Sequence, residues 1–181
     1  APEVIDILSL ATAKSALDFE KLAYSLPKVL GAASALNIPF TEVTALLGQL
    51  SDSGIEASIS GTSLRKIFIS SAAKGIDYQE ALDKVRNSTE KLKIANEVFG
   101  TRAAIAAVLI AKNTSSVEKF DIALQNATGT AKEMARKGLD NLAGASTLFA
   151  SAWRGLILGL ENGQGVFAKS LRGIVDFGAS L

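Results

Sequence analysis

Any acid–base or nucleophilic chemistry in this chain must come from carboxylates, lysines and hydroxyls, because the sequence has no histidine and no cysteine. Histidine is the commonest general base and transition-metal ligand, so its absence removes the usual centre of a hydrolytic or metal site. Ser9, Ser58 and Ser60 have no imidazole to activate them. Asp77 and Glu80 stand three apart, a spacing that suits a capping box, where a negative charge is favoured by the helix N-terminus. A glycosidase pair needs two carboxylates flanking a cleft, and nothing marks one. The run Gly61-Thr62-Ser63-Leu64-Arg65 has the small residues of a phosphate loop. It lacks the Gly-x-x-x-x-Gly-Lys-Ser/Thr spacing and a preceding strand. Gly61 is therefore expected to let a neighbouring helix come close. Lys91 and Lys93 read as charges on a solvated face, and Arg65 and Arg102 as surface contacts or, preferred, as caps at buried edges. These residues predict no enzyme, no cofactor and no metal.

The elements that carry them read as helices throughout. Alanine and leucine dominate, prolines number only three, and β-branched alternation is nearly absent. A helix is expected from Phe19 to about Leu36, N-capped by Asp18, with Leu17 and Leu22 as a hydrophobic staple and Pro27 as a kink. Its apolar face is Leu22, Leu26, Val29, Leu30 and Ala33. A second helix carries Val43, Leu46, Leu47 and Leu50 at helical spacing, and Gly54 follows as its stop. A third spans about 58 to 73, with Leu64, Ile67 and Phe68 inward and Gly75 at its end. The segment 75–81 then echoes 37–43, with Ile, aromatic and Glu at matching places: a weak helical-hairpin repeat. Ile38 and Val43 have staple spacing. Further helices are expected at about 89–99, stopped by Gly100, at 102–112, and at 116–127. The run Asn113 to Ser116 forms the loop between the last two. Gly129-Thr130 opens a long helix to about Glu161, roughly 48 Å at about 1.5 Å per residue.

That last third holds the strongest pattern. Leu139, Leu142, Ser146, Phe149, Trp153, Leu156, Leu160, Gly163, Phe167, Ser170, Ile174, Phe177 and Leu181 alternate three and four apart, and all but Ser146, Gly163 and Ser170 are large and apolar. Such a stripe keeps one helix face toward a partner helix, as a coiled-coil seam between chains or, for the members before Gly163, as a core face against this chain's own helices. A break is expected at 162–165. Beside the stripe runs a ridge of small residues that includes Ser151, Gly155, Gly159 and Gly163, which lets backbones approach closely. The span 143–160 has a single charge, Arg154, and is barely long enough to cross a bilayer. Membrane insertion is the alternative reading, opposed by that arginine. A net charge of +1 offers no electrostatic footprint for nucleic acid. With 48% hydrophobic and 20% charged residues the chain can bury a core. It begins at Ala1, with Glu3 and Asp6 where a secretory signal would be basic, and reads as an excised or processed segment.

Four stretches, in order across 40–144, resemble the core region of phage tail tape measure proteins. They are Phe40 to Leu47 leading to Ser53-Gly54-Ile55, then Gly61 to Arg65, then Val98 to Ala103, and finally Gly129 to Ala135 followed by Leu139 to Gly144. The resemblance implies a structural protein of the virion tail lumen, made in the bacterial host cytoplasm. It also implies partners: other tape measure chains in a homo-oligomer, the tail tube and tail assembly chaperones, with transient membrane contact and no specific nucleic acid. Tail assembly and tail length determination are the implied roles. Family members run to many hundreds of residues, so this chain corresponds to one module. Some members carry peptidoglycan-cleaving domains elsewhere, and no residue here matches one. The expectation is an all-α protein: a compact helical domain at 1–128 and a striped helical arm at 129–181. Leu139, Leu142, Phe149, Trp153, Leu156, Leu160, Phe167, Ile174 and Phe177 form its contact seam, and Gly54, Gly61 and Gly100 are structural glycines.

Overall fold

The computed structural model describes residues 4–138. The contact seam, the small-residue ridge, the 162–165 break and the 143–160 span all lie outside the described residues. Within them every regular element is an α-helix: α1 (Val4–Lys14), α2 (Phe19–Ala35), α3 (Phe40–Asp52), α4 (Ala57–Ala73), α5 (Tyr78–Asn87), α6 (Lys91–Phe99), α7 (Thr101–Lys112), α8 (Thr114–Gln125) and α9 (Thr130–Gly138). The periodic faces turn inward as expected. Leu22, Leu26, Val29, Leu30 and Ala33 are buried on α2, Val43, Leu46, Leu47 and Leu50 on α3, and Leu64, Ile67 and Phe68 on α4. α3 is central. It is buried without interruption from Val43 to Gly48 and packs against α1, α2, α4, α7 and α8.

Local chemistry sets the boundaries. Asp18 caps α2 by accepting from the Lys21 N–H at 2.7 Å, and Leu17 and Leu22 are both buried beside it. The helix continues through Pro27. Three helices end alike. Asn37, Gly54 and Gly75 have positive φ, and the isoleucine after each donates its N–H five residues back, from Ile38 to Ala33, Ile55 to Leu50 and Ile76 to Ser71. This is the Schellman geometry, in which a left-handed residue lets the chain reverse and an apolar neighbour packs back on the helix. Gly100, at φ 82°, is the sole residue between α6 and α7.

Several boundaries differ from the sequence reading. α1 was not expected. Ile5, Ile7, Leu8 and Ala11 are buried together with Asp6 and Ser9, so the helix shows little one-sided patterning. The run Asn113 to Ser116 is not a loop: Asn113 alone separates α7 from α8, and its side-chain amide donates back to the Leu109 carbonyl at 2.8 Å. Asp77 does cap α5, accepting from the Gln79 N–H at 2.7 Å. Glu80 does not complete a reciprocal box; it pairs with Lys84 at 3.1 Å, an exposed i,i+4 contact.

One buried carboxylate joins the two ends of the described chain. Asp6, on α1, is 7% exposed. Its two oxygens accept from the N–H groups of Gly129 at 3.0 Å and Ala131 at 2.8 Å. It is thus an N-terminal cap for α9 supplied from far away in sequence, and it answers donors that a helix start leaves open. This tie spans the expected 128/129 junction. Asp6→Ala is expected to destabilise the protein by about 2 kcal/mol, the upper end for a lost cap. It should also speed amide exchange at Gly129 and Ala131 more than in α3. Hydrogen exchange on the variant checks this; unchanged protection at those two amides would show that the carboxylate does not hold α9.

Candidate interaction surface

A group of titratable side chains from α3, α5 and α8 faces one recess. The recess, of about 330 Å³, is lined by Glu42, Tyr78, Asp83, Arg86, Glu118 and Asp121, among others. Tyr78 donates its hydroxyl to Glu42, and the Gln79 amide donates to the same carboxylate. The Tyr78 ring also stands edge-on to Phe68, with centroids 4.8 Å apart at 68°. Burial, together with the Glu42 carboxylate that it serves, holds the phenol well above the ordinary tyrosine range. Tyr78 therefore stays a protonated donor, and the group acts as a bolt between the first turns of α3 and α5. Arg86 is drawn off to Asp83 at 2.9 Å. Among the described residues no cluster of three or more His, Cys, Asp or Glu side chains is placed to hold a metal ion.

The other sequence candidates take structural positions. Gly61 to Arg65 lies inside α4, not in a loop. Gly61 rests on the backbone of Ser25, where an added methyl would meet the Ser25 carbonyl oxygen at 2.4 Å. Gly54 and Gly100 have φ of 80° and 82°. Ser9 and Ser60 are buried, and Ser58 accepts from the Lys28 ammonium. Lys93 is a surface charge paired with Glu90 at 3.1 Å. Lys91 is not merely solvated: its ammonium donates to the Ser88 carbonyl at 2.7 Å and to that of Arg86, tying α6 to the end of α5. Lys74, which sequence reasoning passed over, does the same for α6, donating to the carbonyls of Glu97 and Val98. Arg65 and Arg102 are exposed, which corrects their reading as caps at buried edges.

An apolar opening lies on the outer face of α2 and α4. These two 17-residue helices make the most extensive helix pair among the described residues. Between them runs a groove of about 760 Å³. Its walls are small residues, Gly31, Ala32 and Ala35 from α2 and Ala72 and Ala73 from α4, with Pro27, Leu36 and Ile69. Leu36 and Ile69 are 40% and 44% exposed. The charged residues lining it are Lys28 and Arg65, with no carboxylate. Tyr24 and Ile59, 59% and 54% exposed, extend the apolar character toward the start of both helices. Sequence reasoning missed this face. The signal was present as one further face of α4, Ile59, Thr62, Ile69 and Ala73, obscured by the intervening Arg65 and by small residues that score weakly for burial. Among the described residues no helix is long and apolar enough to cross a membrane.

No solved structure matches the chain. A curated relative, described as a probable tape measure protein of Escherichia phage P2, is 25% identical over 179 residues. The match covers 82% of this chain and 22% of the relative, so the chain spans about a fifth of that protein's length. The family model for the phage-related minor tail protein matches residues 1–116, which takes in α1 to α7 and the opening of α8. With this match over most of its length, the chain belongs to the phage-related minor tail protein family.

Proposed function

We propose that the chain is a non-catalytic module of a tape measure protein, acting in tail assembly and contributing to tail length. In this reading it works in the lumen of the virion tail after synthesis in the host cytoplasm. Its partners are other tape measure chains, the tail tube and tail assembly chaperones. The observation that carries the reading is how the polar groups are used. Asp6, Asp18, Asp77, Lys74 and Lys91 all serve helix ends, and Tyr78 and Glu42 lock two helices together. These named groups are occupied in holding helices, while apolar surface remains open on α2 and α4. The similarity to a probable tape measure protein supports the same view. The seam Leu139, Leu142, Phe149, Trp153, Leu156, Leu160, Phe167, Ile174 and Phe177 is then the face that grips neighbouring chains, with the ridge Ser151, Gly155, Gly159 and Gly163 setting how closely they approach. Membrane insertion through 143–160 is the second reading, and Arg154 within that span weighs against it.

A helix has a fixed rise, so residue number converts to length. Removing residues 139–181 from the parent protein of the encoding phage is expected to shorten assembled tails by about 65 Å, at about 1.5 Å per residue. Electron micrographs of the particles give the measurement. Tails of unchanged length would remove the segment from the ruler. Failure to make any tail would assign it to assembly.

A further inference from the structure

We infer that the cationic face formed by α2, α4 and α7 docks on the acidic recess between α3, α5 and α8 of a second copy. This rests on the reading above that chains associate with one another, and it gives that association a contact within the described residues. The face begins in the sequence: no Asp or Glu occurs from Ala57 to Ile76 or from Val98 to Val117. α4 and α7, which pack together, therefore carry cations alone. Two openings on them share Thr62. One is the groove, with Lys28 and Arg65; the other, of about 420 Å³, is lined by Lys66 and Arg102. Among the described residues no carboxylate lines either opening, and Arg65, Lys66 and Arg102 have no ion-pair partner.

The recess has the opposite balance. Glu42, Asp83, Glu118 and Asp121 line it with one cation, Arg86, which Asp83 holds at 2.9 Å. Among the described residues Glu118 and Asp121 form no ion pair, and Asp121 Oδ1 is buried without a hydrogen-bond donor. The recess thus holds more negative charge, and more acceptor capacity, than its own fold uses. Two surfaces built on packed helices of one molecule cannot fold onto each other. Arg102 lines the face and Ile110 the recess, about 12 Å apart along α7. A second copy brings face and recess together. Because the two surfaces differ, the contact is head-to-tail, and it closes into a ring or propagates as a filament. Charge complementarity of this kind sets which faces meet and in what orientation.

Two full-length variants test the pairing. Arg65→Glu/Arg102→Glu reverses the face, and Asp83→Arg/Glu118→Arg reverses the recess, all at accessible side chains. Sedimentation velocity in about 50 mM salt, where surface charges are little screened, is run on each variant alone and on their equimolar mixture. Each variant alone carries like charges on both surfaces. It is expected to associate about tenfold more weakly than the unaltered chain, as the loss of two surface ion pairs would give. The mixture is expected to recover the unaltered affinity, because each reversed surface meets its complement. That recovery also shows that both variants are folded. Raising the salt to about 500 mM should weaken the unaltered chain by a similar factor. If all samples associate alike, the charge contact falls and the stripe reading stands. If the mixture does not recover, or only one variant is weakened, the recess of a second copy is overturned as the occupant. If the unaltered chain is a monomer throughout, both readings fall.

Discussion

Gly61→Val is expected to lower the melting temperature by about 12 °C, the larger of the two stability changes that glycines of the α2/α4 pair should show. The reason is local and steric. A methyl carbon at position 61 would sit 2.4 Å from the Ser25 carbonyl oxygen and 3.0 Å from its carbonyl carbon and Cα. Those atoms are backbone, so no rotamer change relieves the contact; the helices must part along their whole interface. Overpacking of this kind costs about 3 kcal/mol at the upper end of its range. For a domain of this size each kcal/mol moves the midpoint by about 4 °C. Gly31→Ala is the opposite case on the same helix pair. Nothing lies within 4 Å of its added methyl, and alanine is favoured over glycine inside a helix by up to about 1 kcal/mol, so the midpoint should rise. Paired calorimetric melts settle both. A Gly61→Val melt matching the parent's would mean that close approach at Ser25 does not hold α2 against α4.

Trp153→Glu is expected to weaken association between chains roughly a hundredfold. The stripe residue is the only tryptophan in the sequence, flanked at helical spacing by Phe149 and Leu156. In a contact desolvated on both sides, an uncompensated carboxylate costs about 3 kcal/mol or more, and each 1.4 kcal/mol is a factor of ten. Trp153→Phe keeps an apolar ring and should retain most of the association. Light scattering after size exclusion, run on both variants, gives the comparison. Equal masses for Glu and Phe variants would show that position 153 does not lie in a contact between chains.

Much of the fold was legible because its determinants are local. The apolar faces of α2, α3 and α4 repeat at helical spacing, so Leu22, Leu46 and Phe68 could be placed inside from their neighbours alone. Asp18 declares a helix start, and the Gly54-Ile55 and Gly75-Ile76 pairs declare helix ends, because those residue types answer open backbone groups within one turn. What was not legible depends on distance in sequence. Asp6 reads as a charge near a chain start, yet it is buried and caps α9, more than a hundred residues away. The apolar residues of α1 form no one-sided stripe, because α3, α8 and α9 cover it from several directions. Gly48 gave no signal, though it seats the Phe120 ring of α8 on α3. The groove on α2 and α4 was hidden for a related reason: alanine and glycine look alike in a buried seam and on an open wall. Lys74 and Lys91 show the same limit from the polar side, since a lysine that caps a neighbouring helix cannot be told by sequence from one in solvent.

Sedimentation equilibrium of the unaltered 181-residue chain across a hundredfold range of concentration is the most direct trial of the account. Joining through the C-terminal stripe predicts a mass that climbs with concentration in multiples of 18.8 kDa. A single 18.8 kDa species at every concentration would contradict it.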